Sequence, residues 1–456
     1  MPHIPEDWKL RLLKDFPDDA PALLQSLSTQ PPVSIRLHPI KGKNVFQQAS
    51  SIPWCKEGRY LEERPVFALD PLWHAGAYYV QEASSMLIQH ILTQLILPEK
   101  SINVLDACAA PGGKSTLLTA ALSQHPQARI VCNEILDQRY RILEENLIRW
   151  SDERCILTKE PIENFVPLGP IFDLILVDAP CSGEGLFRKD PNAMEEWSLK
   201  QTHHCATTQK TILRSALSIL REGGYLIYST CTFNPMENQE ICDWICSHEG
   251  MKMIEIQCEE NWGWKKIETT AGQALQAMMP SVKGEGFFCA VFTKKQNFQA
   301  NISSNERKNA KNHTLPWKEL KENTLTTVWK DIVSLENHRI IEHAQDFYLM
   351  SAPVLHFTQM LGSSVRVRRA GLKQGRIKGK DLVPDSALAY SHLQKIQRIE
   401  LNLDEALRFL RREPSGNENS PMGWYLASFQ GLGLGYLKKH ASGWTNHLPV
   451  DFRLRM

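Results

Sequence analysis

The chain contains no apolar run approaching the roughly 20 residues that a membrane-spanning helix requires. That excludes a helical membrane protein. Met1 to Lys14 lacks the basic, apolar and small-residue zones of a signal peptide. A cytoplasmic protein with its eleven cysteines reduced is therefore expected. Paired CxxC spacing is missing as well. Cys242 and Cys246 lie four apart, His203-His204-Cys205 lies upstream, and the remaining cysteines are scattered. They read as core thiols, and no metal is expected. There is no internal repeat. The net charge is only +1, so the chain as a whole is not a polyanion binder by charge.

That near-neutrality hides an asymmetry. Residues 361–456 carry 16 Lys+Arg against 8 Asp+Glu, and residues 1–360 carry the other 36 against 43. A basic tail of +8 on a body of −7 is the footprint of a polyanion partner, or else a solubilising surface. With 456 residues, 42% hydrophobic and 23% charged, the chain reads as an ordinary globular protein of two or three domains.

Residues 1–100 read as a mixed α/β extension. Val33-Ser34-Ile35-Arg36-Leu37 alternates like a strand, and Glu82 to Leu95 has helical spacing stopped by Pro98. Residues 101–295 alternate strands (Ile102 to Ala107, Arg129 to Asn133, Phe172 to Val177, Gly224 to Tyr228) with helices (Ser115 to Ser123, Asp137 to Trp150, Gln201 to Leu220). Two more strands are expected at Met251 to Ile256 and Gly286 to Thr293. This pattern predicts a doubly wound α/β sheet that binds ligands beyond the carboxyl ends of its strands. Residues 296–314 are a polar linker, and 315–456 a separate region ending in a small β-rich module at about 385–456.

One of those strand ends is Asp106-Ala107-Cys108-Ala109-Ala110-Pro111-Gly112-Gly113-Lys114-Ser115. Its end resembles a phosphate-binding loop. Cys108, however, replaces the first glycine, and Pro111 removes an N–H that would hold phosphate. A nucleoside cofactor fits better. Ala109, Ala110, Gly112 and Gly113 allow close backbone approach, and Glu134 ends the next strand where a ribose is gripped. The helix start at Gly113 can receive a carboxylate. A ligand with adenine, ribose and amino-acid parts is S-adenosylmethionine.

Two cysteines complete the rim: Cys181 in Asp178-Ala179-Pro180-Cys181-Ser182-Gly183, and Cys231 in Ser229-Thr230-Cys231-Thr232. Together with Cys-Ala-Ala-Pro-Gly-Gly-Lys at 108–114, these motifs resemble the RNA cytosine-C5 methyltransferase family across the whole α/β region. Gly423-Trp424-Tyr425 and Gly431-Leu432-Gly433-Leu434-Gly435 resemble the PUA-like RNA-binding end of its ribosomal RNA members. The resemblance implies a Rossmann-like class I methyltransferase sheet with an N-terminal α/β extension and a C-terminal PUA-like domain. It implies Cys231 as the nucleophile on cytosine C6, Cys181 as the thiol that helps release the product, Asp178 as a hydrogen-bond partner of the N3/N4 edge of the base, and Lys114 as a cation that favours a neighbouring thiolate or holds the base. It carries cofactor contacts onto Cys108 to Lys114, Glu134, Asp178 and Arg139. Where the family has an Asp after the third strand, Lys159-Glu160-Pro161 offers Glu160.

RNA is the expected partner, ribosomal RNA favoured, with neither a membrane nor an obligate protein partner indicated. Arg188 and Lys189, bordering the Cys181 loop, are candidate phosphate contacts. So are Arg366, Arg368, Arg369 and Arg376, in a basic run that ends at Lys378 and Lys380. Tyr78, Tyr79 and Phe233 are candidate stacking partners for an unstacked base. The rival readings are a transfer RNA methyltransferase of the same family, a nucleotide-hydrolysing P-loop enzyme and a non-catalytic RNA-binding assembly factor.

Overall fold

A computed structural model describes residues 4–99, 101–248, 250–295, 317–320, 337–378, 381–413 and 420–454. The expected linker at 296–314 and Lys380 lie outside these residues. Runs such as Val104-Leu105, Ile130-Val131 and Leu174-Ile175-Leu176-Val177 are apolar on both faces of a strand, which suits only strands covered on both sides. They form the centre of a ten-stranded sheet. In chain order its strands are β1 (Asn103–Asp106), β2 (Arg129–Asn133), β3 (Cys155–Thr158), β4 (Phe172–Asp178), β5 (Leu220–Thr230), β6 (Met251–Ile254), β7 (Lys265–Thr269), β8 (Gly272–Ala277), β9 (Phe287–Lys294) and β10 (Val367–Ala370).

Across the sheet the order is β7-β8-β9-β5-β4-β1-β2-β3-β10, with β6 paired to β9. From β5 to β3 the pairings are parallel, and those beyond are antiparallel. The chain runs outward from β1 to β3 and then returns to β4 on the other side of β1. That reversal opens a crevice at the carboxyl ends. Helices α1 (Gly113–Ala121), α2 (Asp137–Trp150), α3 (Leu199–Ile219) and α4 (Gln239–His248) accompany it. Helix α3 starts at Ser198, whose hydroxyl accepts the Gln201 N–H at 3.2 Å. Helix α2 stops at Ser151, which takes a left-handed φ of 63°.

The N-terminal sheet, Val33–Leu37, Ser50–Ile52, Cys55–Leu61 and Tyr78–Val80, is wired to this centre by Arg36. Its buried guanidinium donates to Gln81 Oε1 at 2.8 Å and to the carbonyls of Gly113 at 3.2 Å and Thr116 at 3.3 Å. It also lies 4.5 Å from the Trp150 ring centre. A buried cation is tolerated because acceptors surround it. The N-terminal helix Glu6–Asp15 brings Trp8 and Leu12 into a buried cluster with Phe187, Trp197 and Phe233. After β9 the chain also forms a five-stranded and a four-stranded sheet.

Two expectations need correction. The region from 315 onward is not independent of the main sheet, because β10 pairs with β3 through Val367–Thr158 and Ala370–Ile156. Without β10 the edge of β3 would present unpaired backbone groups. The expected helix from Glu82 is shorter: a 3-10 turn at Ser84–Met86 precedes the helix Leu87–Gln94. The hairpin β7–β8 has no counterpart in the expected elements.

Candidate active site at the strand ends

The glycine loop leaves β1 at Asp106 and enters α1 through Gly112, whose φ of 110° favours glycine. A Cβ there would stand 3.3 Å from Leu143 Cδ1. Side chains hold the loop from behind. The Pro111 carbonyl accepts from Asn146 Nδ2 at 2.8 Å and from the Tyr79 hydroxyl at 3.1 Å. The Ala110 carbonyl accepts from Arg139 Nη2 at 2.9 Å. Beneath it, Asp106 is fully buried. Burial pushes its carboxyl up to about 7, against the pull of the Ser115 hydroxyl that donates to it at 2.7 Å.

A cavity of about 580 Å³ lies over the strand ends, bounded by Cys108, Glu134, Leu136, Ile162, Asp178 and Cys231 among others. Glu134 is buried. Its Oε1 accepts the Leu136 N–H at 2.9 Å, and Arg139 Nη1 stands 3.5 Å from Oε2. Oε2 has no hydrogen-bond partner among the described residues. A buried carboxylate oxygen on a cavity wall without a donor suits a ligand hydroxyl. Glu160 also lines the cavity, with its carboxylate taken by Asn164 Nδ2 at 2.7 Å and the Arg366 N–H at 3.3 Å.

At one end of the cavity the two thiols meet. Cys181 Sγ and Cys231 Sγ are 3.2 Å apart, and the Cys231 N–H donates to Cys181 Sγ at 3.3 Å. The hydrogen bond with Cys231 and burial push the Cys181 thiol well above its usual value. Alongside, Lys114 Nζ pairs with Asp178 Oδ2 at 2.7 Å, and Asp178 Oδ1 accepts the Ser229 hydroxyl at 2.8 Å. Burial alone would lower the Lys114 ammonium, but Asp178 together with Cys231 and Asp106 outweighs it and the net shift is upward. The cavity thus has a thiol pair and the carboxylate of an ion pair on the wall of a ligand-sized space. Its chemistry is that of a nucleophile with a cation near it.

Known proteins are similar to this chain along most of its length. Residues 93–293 match the family described as 16S rRNA methyltransferase RsmB/F. Residues 4–83 match the N-terminal domain of 16S rRNA methyltransferase RsmF, and residues 396–454 the methyltransferase RsmF PUA domain. The ribosomal RNA small subunit methyltransferase F of Shewanella piezotolerans is 30% identical over 410 residues, covering 88% of this chain and 84% of that protein. The protein of the same name from Escherichia coli O6:H1 is 30% identical over 417 residues, with the same coverage of 88% and 84%. The chain belongs to the 16S rRNA methyltransferase RsmB/F family.

It is accordingly an S-adenosylmethionine-dependent RNA methyltransferase with a Rossmann-like fold and a PUA domain. Among solved structures, a methyltransferase homolog protein from Pyrococcus horikoshii superposes with a TM-score of 0.54 at 24% identity, over 64% of this chain and 95% of that one. NSun6 from Pyrococcus horikoshii, solved with SFG, gives 0.53 at 20% identity, over 64% and 98%. These two likenesses concern the fold. Among the described residues of this RsmB/F family member, no helix is long and apolar enough to cross a membrane.

Several residues expected to face RNA do not stand free. Arg188 turns inward: its side chain is 6% exposed, pairs with Glu285 at 2.9 Å, and donates to the Gly284 carbonyl at 2.6 Å. The buried Glu285 carboxylate requires a countercharge, and Arg188 supplies it. Arg369, with its side chain 11% exposed, points between Glu144 and Asp385. Arg376 is exposed but pairs with Asp346 at 3.1 Å. Lys189, Arg366 and Arg368 are exposed. Of the stacking candidates, Phe233 is buried, and Tyr78 is buried with its hydroxyl on Asp70 Oδ2 at 2.6 Å. Tyr79 braces Pro111. Sequence reasoning did not single out Ser182, Gln209, Ser229, Thr232 or Glu237, which support the thiols.

Proposed function

We propose that this enzyme methylates C5 of a cytosine in small-subunit ribosomal RNA through a transient bond between Cys231 and C6. The observation that carries the reading is the pair of sulfurs 3.2 Å apart beside the Lys114–Asp178 pair, at one end of a cofactor-sized cavity. Bound S-adenosylmethionine supplies an electrophilic methyl group. The cavity suits it: Glu134 Oε2, which no hydrogen bond occupies, for a ribose hydroxyl, Leu136 and Ile162 for an adenine face, and Cys108, where the loop held by Arg139 meets the cavity wall, for the amino-acid end. Glu160 stands near the adenine side.

Cytosine C5 is a weak nucleophile. When the Cys231 thiolate bonds to C6, the ring becomes an enamine and C5 gains the electron pair it needs to take up a methyl group. Asp178 is placed to hydrogen-bond the N3/N4 edge of the base. Once C5 has lost its proton to a base, the C5–C6 double bond re-forms and the pair in the S–C6 bond returns to Cys231. Cys181, touching Cys231, is positioned to assist that release. Residues 1–100 and 315–456 serve as the RNA-binding flanks of the catalytic domain at 101–295, and the site of action is the cytoplasm.

Mapping 5-methylcytosine in cells with and without the protein tests the substrate. Loss at a small-subunit ribosomal position is the expected result, and loss confined to transfer RNA overturns the ribosomal assignment. Glu134→Gln is expected to weaken S-adenosylmethionine binding about tenfold, the scale of one charge-assisted hydrogen bond. Calorimetric titration reads this directly, and an unchanged affinity removes Glu134 from the ribose. Arg366→Ala with Arg368→Ala is expected to lower the slope of log RNA affinity against log salt by about 1 to 2 while leaving cofactor affinity alone. An unchanged slope takes β10 out of the RNA path.

A further inference from the structure

Behind the thiols lies a buried polar bridge that the chemistry above does not use. The residue after each cysteine takes part: Ser182 Oγ and Thr232 Oγ1 are 2.9 Å apart. The Ser182 hydroxyl donates to Glu237 Oε1, and the Ser182 N–H donates to Glu237 Oε2 at 2.9 Å. Since the Ser182 hydrogen is committed to Glu237, Thr232 must donate to Ser182, so the chain runs in one direction from the Cys231 turn to the carboxylate. Gln209 Nε2, from α3, donates both to Glu237 at 3.0 Å and to the Pro180 carbonyl at 3.0 Å. Glu237 is fully buried. It enters no ion pair among the described residues.

Two sulfurs in contact do not both carry charge, since like charges at that distance repel strongly. Something must decide which sulfur is the thiolate. We propose that Glu237 is a positioning residue that holds the Cys181 turn against the Cys231 turn and, by its negative charge, keeps Cys181 neutral while Cys231 carries the thiolate. This rests on the reading of Cys231 as the nucleophile. The field around the pair is lopsided in the required sense. Lys114 interacts with Cys231, whereas the rise of Cys181, set first by its contact with Cys231 and by burial, is increased by Glu237. The other titratable groups facing Glu237 are Glu184 on the Cys181 turn, Cys205 on α3, and Tyr228 on β5. Glu184 is itself paired with Arg11 at 2.5 Å. Burial lifts the Glu237 carboxyl to about 7 despite the Ser182 donors, so its charge develops as pH rises through neutrality.

Alkylation of the full-length protein with iodoacetamide, each thiolate displacing iodide, reads the bias without methyl transfer. Peptide mass spectrometry gives the Cys181:Cys231 labelling ratio from about pH 6 to 9. In the native protein the ratio is expected to fall as pH crosses 7. In Glu237→Gln it is expected to be flat with pH and about tenfold higher above neutrality, the scale of a like charge removed from a buried neighbour. A pH-independent native ratio, or a Glu237→Gln ratio that follows the native one, overturns the proposal. A purely structural role would change both labels together and leave the ratio where it was, which also overturns it. If Glu237→Gln does not fold, the native ratio alone decides. Trapping RNA on Cys181→Ala separates the two readings. No trapped RNA refutes Cys231 as nucleophile, whereas trapped RNA with an unmoved ratio refutes only the role of Glu237.

Discussion

Cys231→Ala is expected to reduce methyl transfer by about 10⁴-fold or more, and Cys181→Ala to accumulate enzyme joined covalently to RNA. The two outcomes differ because the proposed cycle uses the two sulfurs at different points. Without Cys231 no S–C6 bond forms, and C5 stays unactivated. Without Cys181 the bond forms, but its release is impaired, so the adduct outlives its normal lifetime. The geometry makes the contrast testable, since the sulfurs are 3.2 Å apart and line the same cavity as Asp178. The contact with Cys231 and burial, with Glu237 adding to them, push the Cys181 thiol up, which suits a group that acts on the bond rather than makes it. Denaturing gel electrophoresis after incubation with RNA and cofactor reads the adduct. Slow migration with Cys231→Ala, or none with Cys181→Ala, reverses the roles. Cofactor affinity measured on the same proteins is expected to stay within about twofold, because neither sulfur belongs to the group set around Glu134.

The chemistry of this site was legible in the sequence where it is local. A strand that ends in a turn carries its functional residue with it, so Cys108 to Lys114, Glu134, Asp178 and Cys231 could each be placed on the rim of one sheet from periodicity and turn residues alone. What joins them was not legible. The contact between Cys181 and Cys231 spans 50 positions and depends on β4 and β5 being neighbours, with Asp178 beside Ser229. Pairing of β10 with β3 crosses about 210 positions, and nothing in Val367-Arg368-Arg369-Ala370 distinguishes a strand of the main sheet from one in a separate domain. Arg188 shows the limit most plainly. Its neighbours Lys189 and Asp190 are exposed and its motif looks like a phosphate contact, yet the Glu285 that turns it inward lies 97 residues away. Glu237 was invisible for the same reason: a glutamate after Asn234-Pro235-Met236 is an ordinary surface pattern until α3 and the Cys181 turn close over it.

Asp178→Asn is expected to lower kcat by about 10²- to 10³-fold and to move the alkaline limb of the pH profile to lower pH. Asn keeps the shape of the side chain and can still accept from the Ser229 hydroxyl, now at 2.8 Å, but it removes the charge opposite Lys114. Two opposed influences act on the Lys114 ammonium. Burial lowers it, the ion pair and hydrogen bond with Asp178 raise it, and in the native protein the second wins. In the variant burial is opposed only by Cys231 and Asp106, so the ammonium loses its proton at a lower pH than before. The cation that faces the Cys231 sulfur then disappears within the working range, and with it part of the support for thiolate. Lys114→Met provides the complementary test. It is expected to lose activity on a similar scale with no alkaline limb to move, since the titrating group is gone. A pH–rate profile for Asp178→Asn that is depressed but unshifted would assign Asp178 to base recognition alone and free Lys114 from any part in activating Cys231.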